Sequence, residues 1–428
     1  MGIQEVDVLA VGGGPANLAF AVGVEEMAPE LAARTLVVDD HEAPVWQPGL
    51  LIPWTQSQVS FLKDLVTMRN PRSRFSFVNF LHSTGRLDEF VNLGSFTPYR
   101  LEISNYLRWV AESLSLVRVA HGRRAERIEP VRAAGGAIVG WQTRFTDGSA
   151  VESRSLSIGI GREPHIPEVF KALPAERVIH STSYTQRIGA LDPAGAHRVV
   201  VVGGAQSAAE MLYATHQAMP NAQVTMVMRA IGLNGYESSK FTNELYYASF
   251  VDEFFDAQPE ARTQLLAEMH RSNYAGLAPA TLDTLYRQMY LERLTGAERM
   301  HITPMVDITD AQLDGDEVVL TLADRKTGAL RELRCDVVLL GTGFQKTMPS
   351  LIRQLADSAE LEDIRVTRNY RLELPASASA SVYLQGVNEA SHGISDSLLS
   401  VLGTRGGRIV EDLLAHRADT DLAAVPAA

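Results

Sequence analysis

Residues 6–17 read Val6-Asp-Val-Leu-Ala-Val11-Gly12-Gly13-Gly14-Pro15-Ala16-Asn17, and the fold follows from how this stretch is built. An apolar run of strand length enters a triple glycine, and a proline follows where a helix must begin. Gly12 permits the tight turn and Gly14 lets the backbone approach a pyrophosphate. Pro15 suits the first helical position, whose N–H lacks a helical partner in any case. The helix N-terminus then offers free N–H groups and a favourable dipole to an anion. Asn17 stands where a third small residue is usual. Thr35-Leu-Val-Val38 supplies the next strand, closed by Asp39 and Asp40, and an acid there is placed to take a ribose hydroxyl. Together these make a βαβ unit of the dinucleotide-binding type.

The pattern recurs in mid-chain. Arg198–Val202 reads as a strand, Gly203-Gly-Ala-Gln-Ser-Ala208 as a turn, Glu210 onward as a helix, and Val224–Met228 as a strand ending in Arg229. Ala205 replaces the glycine of closest approach. Gln206 and Ser207 either donate to a pyrophosphate or cap the helix. The acidic end of the first unit suits the ribose of FAD; the basic end of the second favours a 2′-phosphate, hence NADPH. A third apolar strand, Cys335–Leu340, runs into Gly341-Thr-Gly343-Phe344. It is expected to return the chain to the first domain and bring Gly343 near the FAD. The expected architecture is α/β, with two Rossmann-like dinucleotide-binding domains and the NADPH domain inserted in the FAD domain. Residues 1–163 form the first part of the FAD domain. Residues 164–334 form the NADPH domain, with a substrate-binding helical segment at about 240–295. Residues 335–428 form the second part of the FAD domain, with a segment closing over a substrate site at the junction.

A chain of 428 residues fits about two or three domains. The formal charge of -12 argues against nucleic-acid or anionic-membrane binding. Residues 6–24 are apolar but broken by glycines and Asp7, unlike a signal peptide, and no run is apolar enough to span a membrane. Cys335 is the single cysteine, so no internal disulfide can form, which fits a reducing cytoplasm. It reads as a packing residue, and its isolation removes dithiol–disulfide reductase chemistry. No metal-ligand spacing stands out, and His82 and His392 read as structural. The Ala-rich tail after Ala415 is expected to fray.

Other residues carry chemistry without a simple motif. In Gln56-Ser-Gln58-Val-Ser-Phe-Leu-Lys63-Asp64 a cation sits in an apolar run; it either pairs with Asp64, Asp88 or Glu89, or has a binding task. Asn243 and Asn273 lie among aromatics, as turn or cap residues or as ligands. His392–Ser400 offers small polar side chains, with Ser395 or Asp396 as candidate caps.

Taken in order, these segments resemble the flavin-dependent monooxygenases that N-hydroxylate the side-chain amine of ornithine or lysine. The likeness runs from Gly12 to about Leu413. It rests on Gly12–Ala19, Gln58 with Phe61–Leu65, Asn79–His82, Gly203–Glu210, Asn243-Glu244, Asn273-Tyr274, Gly341–Phe344 and His392–Ser400. It implies NADPH- and O₂-dependent hydroxylation through a C4a-hydroperoxyflavin. By the resemblance, Gly12, Gly14, Pro15, Asn17, Asp39, Gln58 and Gly343 belong to the FAD site, with Ser397, Leu398 and Leu399 closing over the flavin. Gln206, Ser207 and Arg229 would hold NADPH. Lys63 would pair with the substrate carboxylate, Asn243 would hold its head group, and Ser400 would line the amine end. Asn273 would reach both the amine and the nicotinamide ribose, which with Lys63 makes it the catalytic choice. Ser395–Ser400 matches the ornithine-type ending rather than the Asp-Pro-Asn-Leu-Ser of lysine enzymes, so ornithine is favoured over lysine or another diamine. A non-catalytic FAD-binding protein is the remote alternative, and it leaves Arg229 without a task. The loop Gly235–Lys240 departs from the family pattern, as does Ala205. The resemblance also implies a homo-oligomer, a tetramer.

Overall fold

The computed structural model describes residues 3–237 and 239–423. The first sheet is built on β1 (Gln4–Val11), flanked in parallel by β2 (Thr35–Val38) and β6 (Ala150–Ile158). β3 (Arg118–Ala120) extends it beyond β2, while β5 (Ile138–Phe145) and β4 (Ala125–Arg132) continue antiparallel beyond β6. Side chains alternate along β1. Leu9 and Val11 pack with Trp141, Phe145 and Leu355, whereas Val8 and Ala10 meet Phe20, Ala21, Ile409 and Val410. Both faces are covered, which is why Val8–Val11 reads as continuously apolar.

Between β9 (Gln223–Val227) and β10 (Met300–Thr303) of the next sheet lie the helices Lys240–Glu244, Ala248–Asp256, Pro259–Asn273 and Pro279–Thr295, where a helical segment was expected. That second sheet is parallel throughout. It comprises β7 (Val178–His180), β8 (Arg198–Val202), β9 (Gln223–Val227), β10 (Met300–Thr303) and β14 (Val337–Leu340), in the order β10-β9-β8-β14-β7. The helix Gln206–Ala218 covers one face through Ala208, Met211 and Leu212. An antiparallel sheet of β11 (Val306–Asp314), β12 (Glu317–Asp324) and β13 (Leu330–Cys335) covers the other, with Val318 and Leu320 against Val200 and Val338. Cys335 is buried in this layer, and burial with Asp336 beside it pushes the thiol up to about 12.

Two expectations are corrected. Cys335–Leu340 does not return to the first sheet; β14 pairs with β8 and β7 in the second. Its purely apolar side chains suit either sheet, and the glycine after it decides the matter. Gly341 N–H donates to Val202 O at 2.8 Å, and a Cβ on Gly203 would stand 2.5 Å from Gly341 O. The first sheet uses the same closure: Gly159, after β6, donates to Val11 O at 2.9 Å, and a Cβ on Gly12 would stand 2.6 Å from Gly159 O. Gly12 and Gly203 have φ of +96° and +135°, conformations closed to ordinary L-residues. Gly343 therefore belongs to the end of the second sheet, where its carbonyl accepts from His165 N–H and His180 Nε2. The chain re-enters the first unit only afterwards. Phe344 bridges Pro164 and Gln345 N–H donates to Glu163 O, so the outgoing and returning segments run side by side. β15 (Ser381–Leu384) then joins the first sheet beside β6.

Nor does the chain fray after Ala415. The helix Leu402–Ala423 continues, anchored by Arg417 to Asp7 at 2.9 Å and by Asp421 to Arg154 at 2.6 Å; residues 424–428 lie outside the described residues. Among the described residues no helix is long and apolar enough to cross a membrane.

Candidate active site

The helix Pro15–Met27 begins on the first glycine turn. The Asp39 carboxylate, nearly buried, accepts the Gly13 N–H and the His41 N–H, so it braces the turn. Asp40 beside it is exposed. A Cβ on Gly14 would meet nothing within 4 Å, so the backbone there faces open space, as a pyrophosphate requires. Asn17 is a correction. It is wholly buried, its amide donating to Val11 O, Gly12 O and Ser157 O and its carbonyl accepting from Ser157 and Gln385. Its side chain shapes the turn from beneath and is fully engaged within the protein, which leaves only its backbone N–H on the first helical turn to face a cofactor.

At the second turn the helix starts at Gln206, earlier than expected. The Gln206 amide donates to Glu210 and Thr281, and its carbonyl accepts the Ala278 N–H at the start of the helix Pro279–Thr295. Its side chain ties helices together rather than meeting a phosphate, the second correction at the site. Ser207 is partly buried on the first helical turn, and its hydroxyl has no partner among the described residues. Arg229 is exposed just past β9 and makes no ion pair among the described residues. These two fit the phosphates of NADPH. Sequence reasoning missed a buried link between the units: Arg100 donates to both Glu210 oxygens at 2.7 Å and to Leu50 O at 3.2 Å. Its trace in the sequence is Glu210, the one acid of the helix Gln206–Ala218.

Lys63 makes no ion pair among the described residues. Asp64 is spent on the N–H groups of Val66, Thr67 and Phe77 and on the Thr67 hydroxyl. Lys63 is half-buried, with Nζ 6.0 Å from the Tyr247 ring centre, and it lines a small cavity with Ser57, Phe61 and Leu399. Burial holds its ammonium below the ordinary lysine value. Asn243 is exposed in the helix Lys240–Glu244, four residues before Tyr247, and Asn273 is the partly buried last residue of its helix. Tyr246 and Ser272 are hydrogen-bonded, joining the neighbours of the two asparagines. The Tyr274 hydroxyl, next to Asn273, donates to Glu389 at 2.8 Å and lies 3.3 Å from Ser397. Leu398 and Leu399 are partly buried, and Ser400 Oγ is buried without a hydrogen-bond partner. Gln58 is exposed; Ser238 of the unusual loop Gly235–Lys240 lies outside the described residues. His392 is buried and stacked on Tyr370, its charge disfavoured by burial; His82 is exposed. Asp396 is no helix cap: its carboxylate accepts the Asn388 N–H and pairs with Arg405.

Lys63 therefore lies near Leu399 and Tyr247, and the Tyr246–Ser272 and Tyr274–Ser397 contacts bring the segments that carry Asn243, Asn273 and Ser400 beside one another. Fold and site define a flavoprotein of the two-dinucleotide class. The family model for L-lysine 6-monooxygenase/L-ornithine 5-monooxygenase matches residues 4–346. An L-ornithine N(5)-monooxygenase of Burkholderia cepacia is 38% identical over 400 residues, spanning 90% of this chain and 89% of that protein. The solved ornithine hydroxylase from Pseudomonas aeruginosa superposes with a TM-score of 0.90 at 34% identity, over 96% of this chain and 99% of that one. The ornithine N-hydroxylase of Kutzneria sp. 744, solved with reduced FAD, NADP⁺ and L-ornithine, also gives 0.90, at 32% identity over 97% of this chain and all of that one (100%). The chain belongs to the L-lysine 6-monooxygenase/L-ornithine 5-monooxygenase family. It is an N-hydroxylating oxidoreductase that works with FAD and NADPH.

Proposed function

We propose that this enzyme hydroxylates L-ornithine at N5, consuming NADPH and O₂ and releasing N5-hydroxyornithine for siderophore or other secondary-metabolite synthesis. The observation that carries the reading is Lys63, a partly desolvated cation with no carboxylate partner among the described residues. It suits the carboxylate of an amino acid, and a charge-assisted hydrogen bond there is stronger than a neutral one. Bound FAD supplies the redox and oxygen-activating chemistry, and the protein supplies placement and exclusion of water. Asn243 holds the head group and Ser400, with its orphaned hydroxyl, lines the other end.

The reacting amine must be neutral, although a free side-chain amine has a pKa of ~10.4. Asn273 accepts from it without adding a negative charge that would keep it protonated. Glu389, tied through Tyr274 to this end of the site, has its charge balanced by Arg162 at 3.4 Å. Asn273 would also hold the ribose of bound NADP⁺ and so keep substrate and nucleotide in register. The enzyme works in the cytoplasm as a homotetramer. Tyr286, Tyr290 and Leu294, exposed at 65%, 55% and 69%, form an apolar stripe that a second copy would cover.

The deciding experiment follows NADPH consumption and hydroxylamine formation by FAD-loaded protein with L-ornithine, L-lysine or no amino acid. Hydroxylated product from ornithine alone is the expected result. Product from lysine alone would transfer the reading to the longer amine, and H₂O₂ without product from either would overturn it.

A further inference from the structure

A chain of buried polar groups runs from the first glycine turn to the segment before Ser400. Asp396 is wholly buried and Arg405 is 3% exposed. One Arg405 N–H group donates to the Asp396 carboxylate at 2.9 Å and to the Asp396 main-chain carbonyl. The other Asp396 oxygen accepts the Asn388 N–H at 2.7 Å. Arg405 Nε donates to Gln385 Oε1 at 3.1 Å. Gln385 Nε2 in turn donates to Asn17 Oδ1 and Ser157 Oγ, each at 2.9 Å, and Asn17 holds the carbonyls of Val11 and Gly12.

Burying an ion pair is expensive, and an apolar pair of similar volume would serve stability as well or better. What the charges add is direction. Arg405 grips both the side chain and the backbone of Asp396, one residue before Ser397–Ser400, while its Nε is keyed to the turn that receives the pyrophosphate. We propose that Arg405, Asp396 and Gln385 are positioning residues. They hold Ser397–Ser400 in register with the Gly12–Asn17 turn, so that the substrate amine is presented to the flavin rather than to solvent. The inference rests on the amine-hydroxylating reading above.

The test uses FAD-loaded Asp396→Asn and Gln385→Leu, the second leaving the ion pair intact. Per bound FAD, anaerobic flavin reduction by NADPH should stay within about twofold of wild type, because Arg405, Asp396 and Gln385 bond neither Ser207 nor Arg229, the residues assigned to NADPH. Hydroxylamine formed per NADPH should fall at least about fivefold in Asp396→Asn, with H₂O₂ making up the difference and the ornithine KM rising. Gln385→Leu should show the same split more weakly. A merely structural role would lower FAD retention or thermal stability but leave the product ratio of FAD-loaded protein unchanged, and that result overturns the proposal. If Asp396→Asn cannot be recovered with FAD, the Gln385→Leu ratio decides alone. Wild-type protein run in parallel separates the two failures: if it hydroxylates only lysine, the ratios are read with lysine, and if it hydroxylates neither amine, the reading and this inference fall together.

Discussion

Lys63 carries its charge where burial already disfavours it, and in the proposed reading a substrate carboxylate offsets the cost. Lys63→Ala should therefore raise the ornithine KM by about 10–150-fold, the equivalent of ~1.5–3 kcal/mol for a hydrogen bond to a charged group. NADPH oxidation without substrate should change little. The pH dependence has a definite sign. Because the folded-state value is depressed, the cost of the buried ammonium is fully present below that value. It is relieved as pH climbs through it toward the unfolded value. Over the same interval a carboxylate ligand loses its cation, so kcat/KM should decline on the alkaline side below the ordinary lysine range, and Lys63→Ala should lack that decline. Arg229→Ala should lower the preference for NADPH over NADH by about 10–150-fold, read as the ratio of the two kcat/KM values. Lys63 and Arg229 stood out in the sequence as candidates because each is a charge breaking a local pattern, and neither makes an ion pair among the described residues. Asn17 and Gln206 were misread because their partners, Ser157, Gln385, Thr281 and Ala278, lie far away in the chain and carry no mark of the pairing.

At the level of elements, the two glycine turns are legible because a strand, a positive-φ glycine and a helix start are consecutive in sequence. Sheet membership is not, since an all-apolar strand such as β14 fits any buried position. The closure by Gly341 gives a direct check. A Cβ there would press within 2.6 Å of the Ala208 side chain, at the start of the helix that faces NADPH. Gly341→Ala should raise the NADPH KM several-fold while FAD stays bound; loss of FAD with an unchanged NADPH KM would return that strand's glycine to the first site.

Across the whole molecule, the Arg100–Glu210 pair joins the two nucleotide-binding units through a desolvated contact. Glu210→Ala strands a buried guanidinium and should cost ~3–5 kcal/mol, seen as an earlier thermal transition. Arg100→Met with Glu210→Leu should cost less than either single change. The place of β14 bears on how the polypeptide is made. The strand that stands between β8 and β7 is translated after every other strand of its sheet, and β15 and the helix Leu402–Ala423 come later still to cover the first. A ribosome that has passed β10 but not β14 therefore holds two incomplete sheets with apolar strands open to solvent. Such nascent chains are clients for holding chaperones, and the yield of active enzyme should depend on the chaperone supply during synthesis more than on the stability of the finished fold.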